Sequence, residues 1–187
     1  MKRITTIFLK FLGALVVSVL VYFIVLFVIT NLYSFYLENK YPLNHRDIIE
    51  KYSSEYRLDP AFVSAVIYEE SRFRPDSNSH KGAVGLMQIL PETADYIAKK
   101  TQDLEFNKDN LGEVDQNIKY GCYYLSYLFD RYGEWGIVLA AYNAGEGNVD
   151  RWLEKEEYKI EFEETKNFVE KVQNTRNFYQ SIYFGSK

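Results

Sequence analysis

The stretch Asp59–Pro75, "DPAFVSAVIYEESRFRP", sets the pattern from which the rest of the chain is read. Asp59 is a good N-cap and Pro60 suits a first helical turn, so a helix is predicted to open here. It runs through an apolar segment and ends on two adjacent glutamates. At about 100° per residue, with Phe62 at zero, Val66 falls near 40° and Val63 near 100°. The apolar face centres near 70°; Glu70 falls near 80°, in the middle of it, and Glu69 near −20°, at its edge. Glu69 is therefore expected to reach water, whereas Glu70 points inward with the valines. A buried carboxylate without a partner is costly. Three arrangements relieve that cost: pairing with Arg72 or Arg74, a helix end that opens into a cleft, or a proton retained because burial raises the pKa. The last two together describe a general acid, the group that glycoside cleavage needs to protonate its leaving oxygen.

The same helical period extends over most of the chain. "RDIIEKYSSEYR" precedes the Asp59 helix. "PETADYIAKK" follows it, again opened by a proline. A helix from about Val114 to Tyr132 stops at Gly133, and "EWGIVLAAYNAG", apolar nearly all round, is predicted to cross the core. "GNVDRWLEK" is short, and "EETKNFVEKVQNTRNFYQSIY" closes the chain. Two stretches resist helix, "RFRPDSNSHKGAVGLMQIL" and "TQDLEFNKDNLGE"; each is expected to hold turns or a short strand. The prediction is an all-α single globular domain over residues 44–187, with one long irregular insertion.

Before it, Phe11–Thr30 carries no charge and no proline over twenty residues. That length spans roughly 30 Å as a helix, a bilayer core. The run ends in bulky aromatics rather than a small-residue cleavage site, which predicts an uncleaved transmembrane anchor over residues 1–34, followed by a tether over 35–43. Lys2, Arg3 and Lys10 precede the span and place the N-terminus inside, with the globular part extracytoplasmic. All 26 acidic residues follow the span, and three of the 22 basic ones precede it, so the outer part is acidic by about seven charges. That balance argues against nucleic acid as a partner. Cys122, the single cysteine, shares a helical face with Ile118, Leu125 and Phe129 and is expected to be a small buried hydrophobe. His45 and His80 stand alone. No metal-ligand spacing and no cofactor motif is visible. Seventeen tyrosines and 13 phenylalanines are many for this length, which suits a groove where sugar rings stack on exposed aromatics.

Two further segments bear on a site. In "SNSHKGAVGLMQI", Gly82 and Gly85 permit tight turns ahead of Gln88, whose amide can pair with an acetamido group. In "AAYNAGEG" an apolar helix runs into Tyr142 and Asn143 and stops. Taken in order and at these separations, "YEES", "GAVGLMQILPETA" and "AAYNAGEGNV" resemble the catalytic domain of SLT-type lytic transglycosylases, relatives of goose-type lysozyme. The resemblance runs from about Leu43 to about Tyr179. It implies a lysozyme-like fold with a groove for peptidoglycan strands. It further implies cleavage of the β-1,4 bond between N-acetylmuramic acid and N-acetylglucosamine, without water, leaving a 1,6-anhydro end. Glu70 matches the family's catalytic glutamate; Ser71, Gln88, Tyr142 and Asn143 match residues that line its groove. One motif departs: where the family reads roughly Glu-Thr-Arg-x-Tyr-Val, this chain has "ETKNFV", with Phe168 in place of the tyrosine. Two other readings share these residues, a goose-type hydrolase, favoured by an ordered carboxylate across the groove, and a non-catalytic glycan-binding scaffold, favoured by a salt-bridged Glu70.

Overall fold

The structure, a computed structural model, describes residues 2–104 and 106–185, with side chains from Lys10 onward. It divides into two compact units, residues 1–40 and 41–187. The first is a single helix, α1 (Lys2–Lys40). Its side chains from 10 to 36 are all exposed, so a largely apolar surface lies bare along it. By length and composition this helix is able to cross a membrane. The side chains of Lys2 and Arg3, on which its expected orientation rests, lie outside the described residues. Within the stretch 35–43, helix continues to Lys40, and Tyr41 is already buried in the second unit.

That second unit is all-α, as the periodicity predicts. Its helices are α2 (Arg46–Glu55), α3 (Pro60–Ser71), α4 (Pro91–Thr101), α5 (Val114–Tyr132), α6 (Trp135–Ala144), α7 (Glu146–Leu153) and α8 (Glu163–Tyr179). Asp59 caps α3 by accepting from the Ala61 N–H at 2.9 Å, with Pro60 as first residue. Gly133 ends α5 in the left-handed conformation, as a C-terminal glycine does. α3 packs against α2 and α8; α6 packs against α5, α7 and α8. Every residue of α3 from Ala61 to Ile67 is buried. A helix enclosed on all sides has no polar face to give away, and the composition of α3 and α6 reflects that.

The two stretches that resist helix contain no strand among the described residues. The first forms only isolated bridges, Asn78 to Val84 and Val84 to Ile89; the second contains one 3-10 turn, Lys108–Asn110. The first is nevertheless tightly fixed, by Asn117 of α5. The buried Asn117 amide accepts from the Met87 N–H at 2.8 Å and donates to the carbonyls of Val84 and Leu111 at 2.9 Å each. The close approach requires two glycines. A Cβ on Gly85, which also has φ +79°, would collide with the Asn117 amide, and one on Gly121 would collide with the Met87 sulfur.

Within the second unit most aromatic residues are at least partly buried and serve packing. Tyr41 stacks on Phe178 at 4.8 Å and meets Tyr68 at 5.1 Å. Tyr179 and Tyr183 donate to the carbonyls of Pro42 and Tyr41, each at 2.8 Å, and so fasten the end of the chain to the start of the unit. Cys122 is fully buried, and burial pushes its thiol pKa up, which leaves it the inert hydrophobe expected.

Candidate active site

α3 ends abruptly one residue after Glu70. Arg72 and Phe73 both adopt left-handed φ values, 55° and 58°, which turn the chain away from the helix axis. Glu70 therefore occupies the last turn of α3, beside a cleft of about 530 Å³. α3 supplies Glu70 to this cleft; the loop 72–90 supplies Ser79, His80, Lys81 and Gln88; α6 supplies Tyr142 and Asn143; and the start of α8 supplies Phe162, Glu164 and Thr165. An adjoining hollow of about 400 Å³ shares Thr93 and Tyr124 with it and adds Tyr96 and Tyr127.

The Glu70 carboxyl has no ion-pair partner among the described residues. Arg72 pairs with Glu69 instead, at 3.0 Å, and the Arg74 Nε donates to the Ser71 carbonyl at 3.1 Å. Burial is the main reason that the Glu70 pKa rises, from an ordinary 4.5 to about 8; the negative charges of Glu164 and then Glu69 add to it. The carbonyl end of α3 acts in the same direction, since a helix C-terminus disfavours an anion. Glu70 thus keeps a proton at neutral pH, at the edge of a cleft where a ligand can take it.

Glu69 is not solvated as the wheel predicts. Its side chain is only 6% exposed; it accepts from the Thr175 Oγ1 at 2.7 Å as well as pairing with Arg72. The wheel describes one helix in isolation, and α8 covers that edge of α3. Ser71 also departs from expectation. It is buried, its hydroxyl donates to the Ile67 carbonyl at 3.1 Å, and it does not line the cleft. A hydroxyl at a helix end has a carbonyl one turn back, and here it takes that partner.

The remaining predicted residues do meet at the cleft, each with part of its bonding capacity committed. Gln88 sits at φ 48°, and its amide N–H₂ donates to the carbonyls of Ser77 at 3.0 Å and Gly85 at 2.8 Å. Its carbonyl oxygen is the group left for a ligand. A left-handed glutamine is strained, and such strain gathers at sites of function. The Tyr142 hydroxyl donates to the Met87 carbonyl at 2.7 Å; burial, and then the Glu70 charge, push its pKa well up. The Asn143 Oδ1 accepts from the Thr165 Oγ1 at 2.8 Å, which frees its N–H₂. Phe168 is buried on α8 and is not among the side chains that line the cleft.

Sequence reasoning passed over Glu164 as a site residue. It is exposed, lies on the cleft wall and acts electrostatically on Glu70. The signal was present in "ETKNFV", but only the fold brings that segment opposite α3. His80, which stands alone in the sequence, also lines the cleft.

Residues 47–186 match the family described as Transglycosylase SLT domain. The chain is similar to the soluble lytic murein transglycosylase of Escherichia coli strain K12, 31% identical over 163 residues that cover 81% of this chain and 25% of that protein. It is 33% identical over 122 residues to membrane-bound lytic murein transglycosylase C of Actinobacillus pleuropneumoniae serotype 5b, covering 59% of this chain and 33% of that one. Among solved structures, the 70 kDa soluble lytic transglycosylase of Escherichia coli superposes with a TM-score of 0.75 at 31% identity, over 81% of this chain and 26% of that one. Lytic transglycosylase Slt from Pseudomonas aeruginosa, an inactive mutant with glutamine in place of a glutamate, gives 0.72 at 28% identity, over 80% and 26%. The chain spans about a quarter of the length of the first relatives it matches.

Proposed function

The chain belongs to the SLT transglycosylase family, and from that membership we propose that it cleaves peptidoglycan as a lytic transglycosylase. The bond cut is that between N-acetylmuramic acid and N-acetylglucosamine. The observation that carries the reading is a single one: Glu70 is largely shielded from water beside the cleft, unpaired by any base among the described residues, with its pKa raised to about 8. An acid of this kind is poised to protonate a glycosidic oxygen at neutral pH. Positive charge then develops at the muramic C1, where the neighbouring N-acetyl oxygen stabilises it. Glu70, now a carboxylate, takes the proton from the C6 hydroxyl as that oxygen attacks C1. The C1–O4 bond breaks and O4 leaves with the donated proton; the C1–O6 bond forms, and the proton from O6 leaves Glu70 protonated again. No water enters and no metal or cofactor is called for.

Around this step Gln88, Tyr142 and Asn143 hold the glycan. The Gln88 carbonyl oxygen faces an amide N–H, the free Asn143 N–H₂ faces a sugar oxygen, and the Tyr142 ring supplies a wall. Ser71 supports the helix end rather than touching sugar. α1 anchors the chain in the cell membrane through residues 1–34, uncleaved, with residues 44–187 as the catalytic domain on the extracytoplasmic side. The apolar surface of α1 supports the anchor, and the membrane-bound relative is consistent with it. The inactive relative with glutamine in place of a glutamate supports a glutamate in the central role.

Glu164 sustains one second reading. A carboxylate on the cleft wall is able to activate water, which would make the reaction hydrolysis. Nothing among the described residues holds the Glu164 carboxyl in place, and it is exposed, so the lyase reading is preferred. Mass analysis of fragments released from purified peptidoglycan separates the two. Transglycosylation gives products lighter by one water per cut; products of full mass would establish hydrolysis, and no release at all would remove both.

A further inference from the structure

We propose that Lys81 reads a carboxylate carried by the muramyl residue of the bound strand. The inference rests on the reading of the cleft as a glycan site. Of the described side chains that line this cleft, Lys81 alone carries a fixed positive charge, and it shares the space with the carboxyls of Glu70 and Glu164. A lysine so placed would be expected to turn to one of those acids or to another on the loop. Instead it forms no ion pair among the described residues, and its side chain is exposed at the cleft margin.

Its backbone, by contrast, is firmly held. The Ser79 Oγ accepts from the N–H groups of Lys81 at 3.2 Å and Ala83 at 3.0 Å. The Gly82 N–H donates to the Ser79 carbonyl at 3.0 Å, and the Ser79 N–H to the Ala83 carbonyl at 2.9 Å. Gly82 at φ +84° makes that closed turn possible. The turn thus holds the base of the Lys81 side chain at the cleft margin, while the ammonium itself stays exposed and is open to an anion in the cleft. His80, beside it, adds a ring N–H donor at the same margin.

The glycan backbone offers only one place for an anion. Both sugars are neutral apart from the lactyl ether on muramic acid. Where the stem peptide has been removed, the lactyl group ends in a free carboxylate. Where the stem is present, that carboxyl is an amide and the stem contributes carboxylates of its own. Either source presents the same chemistry to Lys81, and a neutral chitin oligosaccharide presents neither. Lys81 thereby gives the cleft a means of distinguishing muramyl from glucosaminyl residues at a position that Glu70, Gln88 and Asn143 do not read.

The test is calorimetric titration of the full chain in detergent micelles, in a Glu70→Gln background so that bound strands stay uncut. Three probes are used: chitotetraose, the alternating tetrasaccharide with free lactyl carboxylates, and the same tetrasaccharide bearing stem peptides. Lys81→Gln is expected to weaken binding of an acidic probe about fivefold at low salt, the effect of one solvent-accessible charge pair. It should leave chitotetraose unchanged, lose its effect in high salt and be rescued by Lys81→Arg. Loss on the stem-free probe assigns the lactyl carboxylate; loss only on the stem-bearing probe assigns the stem. Equal affinity of the Lys81→Gln and Lys81-intact proteins for all three probes, or an equal loss on all three, overturns the proposal. If the Lys81-intact protein binds none of the probes, the glycan reading of the cleft falls, and this proposal with it.

Discussion

Glu69 and Glu70 are the same residue type, one peptide bond apart, at the same end of the same helix, yet their surroundings have almost nothing in common. Glu70 faces the cleft, carries no counter-ion and holds its proton to about pH 8. Glu69 faces the seam between α3 and α8, where Arg72 and Thr175 hold its carboxylate at 3.0 and 2.7 Å. Both are shielded from water, so burial does not separate them. The difference lies in what the surrounding elements present. α8 offers Glu69 a hydroxyl and the end of α3 gives it a guanidinium, whereas the same two elements offer Glu70 a second carboxylate in Glu164. One glutamate joins two helices; the other is left with a proton to donate.

The comparison predicts its largest contrast in Glu70→Gln. Turnover should fall by at least roughly 10²–10⁴-fold, since acid and base functions vanish together. Release of fragments from peptidoglycan measures this, and near-normal release would end the assignment. The same substitution should stabilise the fold in a pH-dependent way. The folded protein holds the Glu70 proton up to about pH 8, whereas the unfolded chain releases it near 4.5. Stability from this group is therefore greatest below about 4.5 and declines as pH rises to about 8. Glutamine removes that slope, so the variant should gain on the parent through this window, by on the order of a few kcal/mol at its upper end. Denaturant melts at pH 5 and pH 8.5 would expose a flat difference, which contradicts the burial argument.

Glu69→Gln should do the reverse. The amide keeps a bond to Thr175 but loses the ion pair. A stability loss of about 1–2 kcal/mol is expected, kept modest because the Arg72 guanidinium still reaches water. Per folded molecule, turnover should stay within a few-fold of the parent. A catalytic loss as deep as that of Glu70→Gln would erase the distinction between the pair.

Glu164→Gln tests the electrostatic side. The alkaline limb of the rate profile should follow Glu70 deprotonation near pH 8. Removing the Glu164 charge lowers the Glu70 pKa and should move that limb to lower pH. The shift should shrink at high salt, because Glu164 is exposed. A limb that does not move would show that burial alone sets the proton affinity. The smallest effect belongs to Phe168→Tyr. Phe168 is buried away from the cleft lining. Activity should be equal or slightly higher, and a large loss in a folded variant would show that the apolar ring itself is needed.

What could be read before the fold was known follows a physical division. Helices announced by caps and period were legible: Asp59-Pro60, Gly133 and the proline before Glu92 mark ends through local bonding, and local bonding is written in adjacent residues. The inward aim of Glu70 was legible for the same reason. What lay beyond reach depended on partners distant in sequence. Glu69 lost its water to Thr175, more than a hundred residues away. Ser71 has its hydroxyl on Ile67, which no wheel distinguishes from a groove-facing hydroxyl. The role of Asn117 in fixing the Val84–Met87 loop has no signature at all, since a lone polar residue in an amphipathic helix ordinarily faces solvent. Motif resemblance brought Gln88, Tyr142 and Asn143 together, but it did not reveal that each arrives with part of its bonding already taken.

The two tyrosine clamps at the start of the second unit have a mechanical consequence. The carbonyls of Tyr41 and Pro42 are held by hydroxyls from Tyr183 and Tyr179. Tension applied through residue 40 therefore enters beside the C-terminal end of the chain and loads these two bonds side by side. Along the covalent path the cleft begins only at Glu70, beyond α2 and at the far end of α3. Pulling single molecules between residue 40 and the core should show an early yield in Tyr179→Phe and Tyr183→Phe that the parent lacks, with the cleft residues still protected from hydrogen exchange. An early yield that also strips protection from the cleft would mean that the clamp and the site give way as one piece.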